Sequence, residues 1–179
     1  IPGPAGVERV RRNHQRGIRQ RLLTNSLATN DVAAAHSGDA RYRADLVRNG
    51  LELYELKPGA RSIKRNWSAL AGRSRASVHT KVFVVDRRTV GIGSFNLDPR
   101  SSDFNTEMGV LIDSPELGEE LALLVEKLMQ PENSWQVKLN DEGKLIWQSG
   151  DDIRTRQPAQ SFWQRVMDVF FKLFPSKYF

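Results

Sequence analysis

The chain has 179 residues, 39% of them apolar and 27% charged, with a formal net charge of +6 carried more by Arg than by Lys. That length suits one domain with a sizeable buried core, and an Arg-weighted excess suits anionic partners, nucleic acid or a membrane surface, because guanidinium forks match phosphate. The absence of cysteine excludes disulfide frameworks, thiolate-bound zinc and thiol catalysis, and no apolar run approaches the roughly 20 residues that span a bilayer.

Two segments follow one pattern. "VERVRRNHQRGIRQRLLTNS" and "ARYRADLVRNGLELYEL" each read as a basic helix, a glycine, then a short apolar strand. Gly17 and Gly50 stand where a helix end favours a residue tolerant of positive φ. Helix then strand, twice over, predicts α/β architecture with partly parallel strands. His36, Tyr42 and Arg43 follow the strand ending at Asn25, where open α/β sheets place ligands; His36 is a candidate substrate contact, against the alternative of a solvated loop and helix start. "KPGARSIKRNWSALAGRSRAS" then reads as a long basic loop. Its Arg61, Lys64, Arg65, Arg73 and Arg75 suit phosphate groups or simple solvation.

Strands are predicted at about 78–85, 90–96 and 106–112. In "SPELGEELALLVEKLM" Ser114 is the expected N-cap and Pro115 the first helical residue. "WQVKLNDEGKLIWQ" reads as a hairpin turning at Asn140–Gly143, with Trp135 and Trp147 as core or cover. "SFWQRVMDVFFKLFPSKYF" closes the chain as an aromatic helix capped by Ser161, suited to packing on the domain or to a membrane interface. A catalytic domain is expected over 1–130, with the hairpin and aromatic helix forming 131–179.

The chemistry concentrates in "HTKVFVVDRRTVGIGSFN", residues 79–96, where polar groups interrupt an apolar hairpin. A turn centred on Arg87-Arg88 pairs Val85 with Val90, sets Lys81 opposite Ser94 and His79 opposite Asn96, and gathers all four polar residues on one face. Lysine, hydroxyl and amide around an imidazole suit a tetrahedral oxyanion, with histidine the group able to attack or protonate near neutrality. Asp86 falls at the turn, where a structural pairing with a nearby cation is expected. Gly91 and Gly93 permit close approach by another backbone or a ligand.

His79, Lys81 and Asp86 in HxKxxxxD spacing, followed by Gly93, Ser94 and Asn96, resemble the signature of the phospholipase D superfamily. "GSFNLDPRSSDFNTEMGVLID" and the upstream segments are similar to the C-terminal half of its bacterial cardiolipin synthases. The resemblance implies an α/β/α sandwich with a mixed sheet, and phosphatidyl transfer through a phosphohistidine with no metal and no other cofactor. His79 would be the general acid and base, oriented by Glu107. Lys81, Ser94 and Asn96 would hold the phosphoryl oxygens, and Asp86 and Gly93 would be structural.

The resemblance also implies two such motifs per site, and this chain has one. The partner motif would come from the missing half of a longer chain, as an initial Ile rather than Met suggests, or from a symmetric dimer mate. The implied partners are a phospholipid and an anionic membrane, at the cytoplasmic side of a bacterial inner membrane; nucleic acid is disfavoured. Two rivals stay open at this point: a phosphodiesterase or nuclease using the same motif, and a membrane-binding module without activity.

Overall fold

The computed structural model describes residues 3–27, 42–58, 81–94 and 106–158. His36, His79, Asn96, most of the basic loop and the aromatic terminal segment lie outside these ranges. The two helix–strand units form as the sequence predicts. Helix α1 (Pro4–Gln15) begins with a proline in its first turn, where the missing N–H has no helical partner to lose. Glu8 accepts bonds from Arg11 and Arg12 on the following turn. Strand β1 (Gln20–Asn25) follows, then helix α2 (Arg43–Arg48) and strand β2 (Leu51–Leu56). Gly17 and Gly50 take φ +76° and +94° at the two junctions. A Cβ on Gly50 would lie 2.3 Å from the His14 ring, so this glycine also lets α1 meet the second unit.

β1 and β2 pair in parallel, and the order continues through β6 (Ser134–Leu139), β7 (Leu145–Ser149) and β8 (Asp152–Arg154), each antiparallel to the strand before it. The chain is therefore α/β with a mixed sheet. β6 hydrogen-bonds to β2, so the hairpin beyond residue 130 continues the sheet begun by the two helix–strand units. Gly143 carries its turn at φ +74°.

Strand alternation divides the apolar residues between two faces. Leu22, Leu51 and Leu53 point to the side of α1 and α2, where Val10, Leu46, Trp135 and Trp147 complete the core. Leu23 and Leu56 point the other way, against Leu128 of α3 (Pro115–Leu128). Glu55 is fully buried on the first face, with Arg43 Nε 3.2 Å from its Oε1 and Trp147 Nε1–H donating to its Oε2 at 2.9 Å. Arg43 stands at the start of α2 and is buried as an internal ion-pair partner, neither solvated nor directed at a ligand site.

A second sheet, β3 (Lys81–Val85), β4 (Thr89–Gly93) and β5 (Gly109–Asp113), is antiparallel throughout. α3 starts as predicted, with Pro115 in its first turn and the Ser114 hydroxyl accepting the Leu117 N–H, and lies against β3 and β4. Val90 is buried there. On the opposite face Phe83, Val85 and Leu111 are exposed, Leu111 by 71%.

Replacing Glu55 with Leu removes the carboxylate from a buried guanidinium and an acceptor from a buried indole. The expected cost is about 3–5 kcal/mol, against much less for Arg43→Met combined with Glu55→Leu. Urea unfolding of both variants checks this, and a single variant as stable as the parent would show the pair to be dispensable.

Candidate active site

The motif hairpin forms one residue out of the expected register. Lys81 stands opposite Gly93, not Ser94, and Val85 opposite Thr89, not Val90. The connection is three residues, Asp86 to Arg88, one fewer than a turn centred on Arg87-Arg88 requires. Asp86 and Arg87 both take positive φ, 51° and 53°, which tightens the chain until the Arg88 N–H reaches the Val85 carbonyl at 3.0 Å. Aspartate tolerates that backbone better than most residues. Thr89 is then drawn into the ladder against Asp113, whose carboxylate takes a two-pronged bond from Arg88. Asp86 itself has no ion-pair partner among the described residues; the ion pairs at this turn are made by its neighbours Arg87 and Arg88, with Glu119, Glu126 and Asp113.

The slip changes which residues share a row. Lys81, Gly93 and Gly109 line up across the three strands, and Ser94 belongs to the next row, with Met108. Strand alternation therefore takes Ser94 off the face that Lys81 shares with Phe83, so the expected gathering of the polar residues on one face fails for this pair. Gly93 is needed where it stands, because a Cβ there would lie 2.5 Å from the Met108 carbonyl oxygen. The close backbone approach expected at this glycine is thus present, made by β5. At Gly91 the space is filled by the Phe83 ring, 2.2 Å from where a Cβ would sit.

One row beyond Gly93 the ladder ends on a side chain. The Ser94 N–H donates to the Met108 carbonyl at 2.9 Å, while the Met108 N–H donates back to Ser94 Oγ at 3.0 Å. The hydroxyl donates in turn to Glu107 Oε2 at 2.5 Å, a short bond of the kind a carboxylate makes with a hydroxyl. The structure therefore joins two of the predicted site residues, Ser94 and Glu107. The Ser94 hydroxyl proton is directed at Glu107 here, so a donor role toward phosphate requires that bond to be released. Among the described residues no group of three or more His, Asp and Glu side chains is arranged to hold a metal.

Residues 1–129 match the family model described as cardiolipin synthase, phospholipase D-like domain. The chain belongs to that family. It is 45% identical to cardiolipin synthase C of Escherichia coli over 93% of its own length, and 30% identical to cardiolipin synthase A of Pseudomonas aeruginosa over 69%. It spans 36% and 22% of those two proteins, about a third of the length or less. A solved phospholipase D family member, Nuc from Salmonella typhimurium, is similar over 77% of this chain and 76% of its own, at 18% identity and a TM-score of 0.49.

Sequence reasoning missed the Ser94–Glu107 bond and assigned the carboxylate to His79 alone. The available signal was the matching of strand ends: once Gly93 faces Gly109, the residues just beyond them meet. Gly93→Ala is expected to wedge β4 from β5, lowering both thermal stability and turnover. At Gly109 the nearest neighbour of an added Cβ is 3.5 Å away, an ordinary contact, so Gly109→Ala should be tolerated. Melting and activity assays on the pair check this; equal effects would show that the close approach at Gly93 is unimportant.

Proposed function

We propose that the chain supplies one of two motif-bearing halves of a phosphatidyltransferase acting on phospholipid. The observation that carries this reading is the bond between Ser94 and Glu107 at the end of the motif hairpin, in a chain of the cardiolipin synthase family. It sets the carboxylate that follows the motif beside the motif's own hydroxyl. A second motif histidine attacks the phosphatidyl phosphorus, forming a P–N bond as the P–O bond to the first alcohol breaks. His79 gives that alkoxide its proton. It then takes the proton of the incoming alcohol, whose oxygen displaces the histidine and restores a phosphodiester. With water as acceptor the same site is a phospholipase. Lys81 balances the charge on the phosphoryl oxygens, Asn96 and a released Ser94 hydroxyl donate to them, and Glu107 fixes the ring of His79.

One histidine cannot both attack and protonate on opposite sides of phosphorus, so the reading needs a partner domain with its own motif. The exposed apolar face of the small sheet, continuous with Lys81 through Phe83, supports a covering partner, since patches of this kind on a soluble surface mark interaction sites. A peripheral place at the cytoplasmic membrane of a bacterium goes with this reading, supported by the basic charge and the cardiolipin synthase relatives. No helix among the described residues is long and apolar enough to cross a membrane.

In the intact protein, His79→Asn and Lys81→Met should each lower phospholipid turnover by at least about three decades, roughly 4 kcal/mol of barrier, with folding preserved. Near-normal turnover by either would sink the assignment, as would cleavage of DNA with no action on lipid. Activity should survive EDTA; loss restored by a divalent ion would add a metal to the site. The chain by itself should be silent until a domain with a second motif is added, and turnover rising with the square of its concentration would point to a symmetric dimer instead.

A further inference from the structure

The turn of the motif hairpin is held far more heavily than its exposure would suggest. Arg87, already at positive φ, sends Nη1 to Glu119 Oε1 at 2.8 Å and Nη2 to Glu126 Oε1 at 2.5 Å. That same Glu126 oxygen accepts Arg21 Nη2 of β1 at 2.9 Å. One carboxylate on α3 therefore binds a strand of the large sheet and the turn of the small one. The Glu126 carboxyl is held below its usual range by the hydrogen bond from Arg21 and then that from Arg87. The helix backbone is equally close: a Cβ on Gly118 would lie 2.5 Å from the Arg87 carbonyl carbon and oxygen. Left-handed arginine persists only where its surroundings impose it, and here a helix and two carboxylates do so.

The two sheets are not joined by a ladder among the described residues, so their relative placement depends on packing and side-chain bonds. From Arg87 to Lys81 the strand runs about 20 Å, so a tilt of roughly 3° at the turn moves the lysine by about 1 Å. A misplacement of that size costs on the order of 100-fold in rate.

We propose that Glu126 and Arg87 are positioning residues, which fix the angle of the motif hairpin against the large sheet and so place Lys81 and Ser94 for phosphoryl transfer. This inference rests on the function proposed above. It goes beyond it in assigning a role to two residues outside the motif chemistry, one at the turn end of the hairpin, away from Lys81, and one on α3.

The test uses the intact protein and phospholipid turnover, with Glu126→Gln, Arg87→Gln and the double variant. Each single variant should lose about 10- to 100-fold in kcat. KM should stay within about twofold, and the melting temperature within about 2 °C, because exposed ion pairs add little stability. The double variant should be no slower than the slower single. Amide exchange at Val82–Val84 should quicken in all three, with Lys138–Ile146 on the large sheet as an unchanged reference. Undiminished kcat, additive losses, or losses matched by a fall in melting temperature would overturn the proposal. A parent inactive on phospholipid, or activity surviving His79→Asn, would instead overturn the function, and the exchange rates would still decide whether the clamp holds the hairpin.

Discussion

The large sheet is organised around a charge with no access to water. Glu55 lies on the helix-covered face of β2, and a carboxylate there survives only with partners. Arg43 comes from α2, which precedes β2 in the chain; Trp147 comes from β7, about ninety residues later. One side chain thus ties the parallel pair, the helix above it and the distant hairpin into a single sheet. Strand order follows from this convergence, since β6 must lie beside β2 for Trp147 to reach Glu55. Paired buried charge adds little to stability by comparison with apolar packing, but it penalises every arrangement that leaves one member unmatched.

On that base the motif hairpin is mounted from behind. α3 packs against β3 and β4 through Val90 and touches the turn at Gly118, with its carboxylates directed at Arg87. On the opposite face Phe83, Val85 and Leu111 are exposed. A polar end, an apolar middle and a clamped turn follow one another along a hairpin of five-residue strands. The arrangement separates the polar motif residues at one end from the ion pairs of the turn at the other.

At the polar end, the exchange of bonds between Ser94 and Met108 closes the ladder without leaving a backbone N–H unmatched. The cost of that closure is the freedom of the serine hydroxyl, which accepts from the Met108 N–H and donates to Glu107. A site that binds a phosphoryl group must alter this arrangement, and Ser94 and Glu107 are the pair that must exchange partners.

The sequence by itself determined the class of the fold, the two helix–strand units, the glycines at their ends, the cap of α3 and the second hairpin, because each is set by contacts within a few residues. It also carried the family, since His79, Lys81 and Asp86 stand out by type and spacing, and the family model matches residues 1–129. It misjudged the register of the motif hairpin. Turn length there depends on whether Arg87 can be held in a left-handed backbone, and the groups that hold it, Glu119 and Glu126, lie more than thirty residues downstream on another element. The burial of Arg43 was hidden for the same reason: its partner Glu55 looks like any strand carboxylate until the helix covers it. Local propensity is written in neighbouring residues, whereas register and burial are decided by side chains far apart in the chain that meet only once the fold has closed.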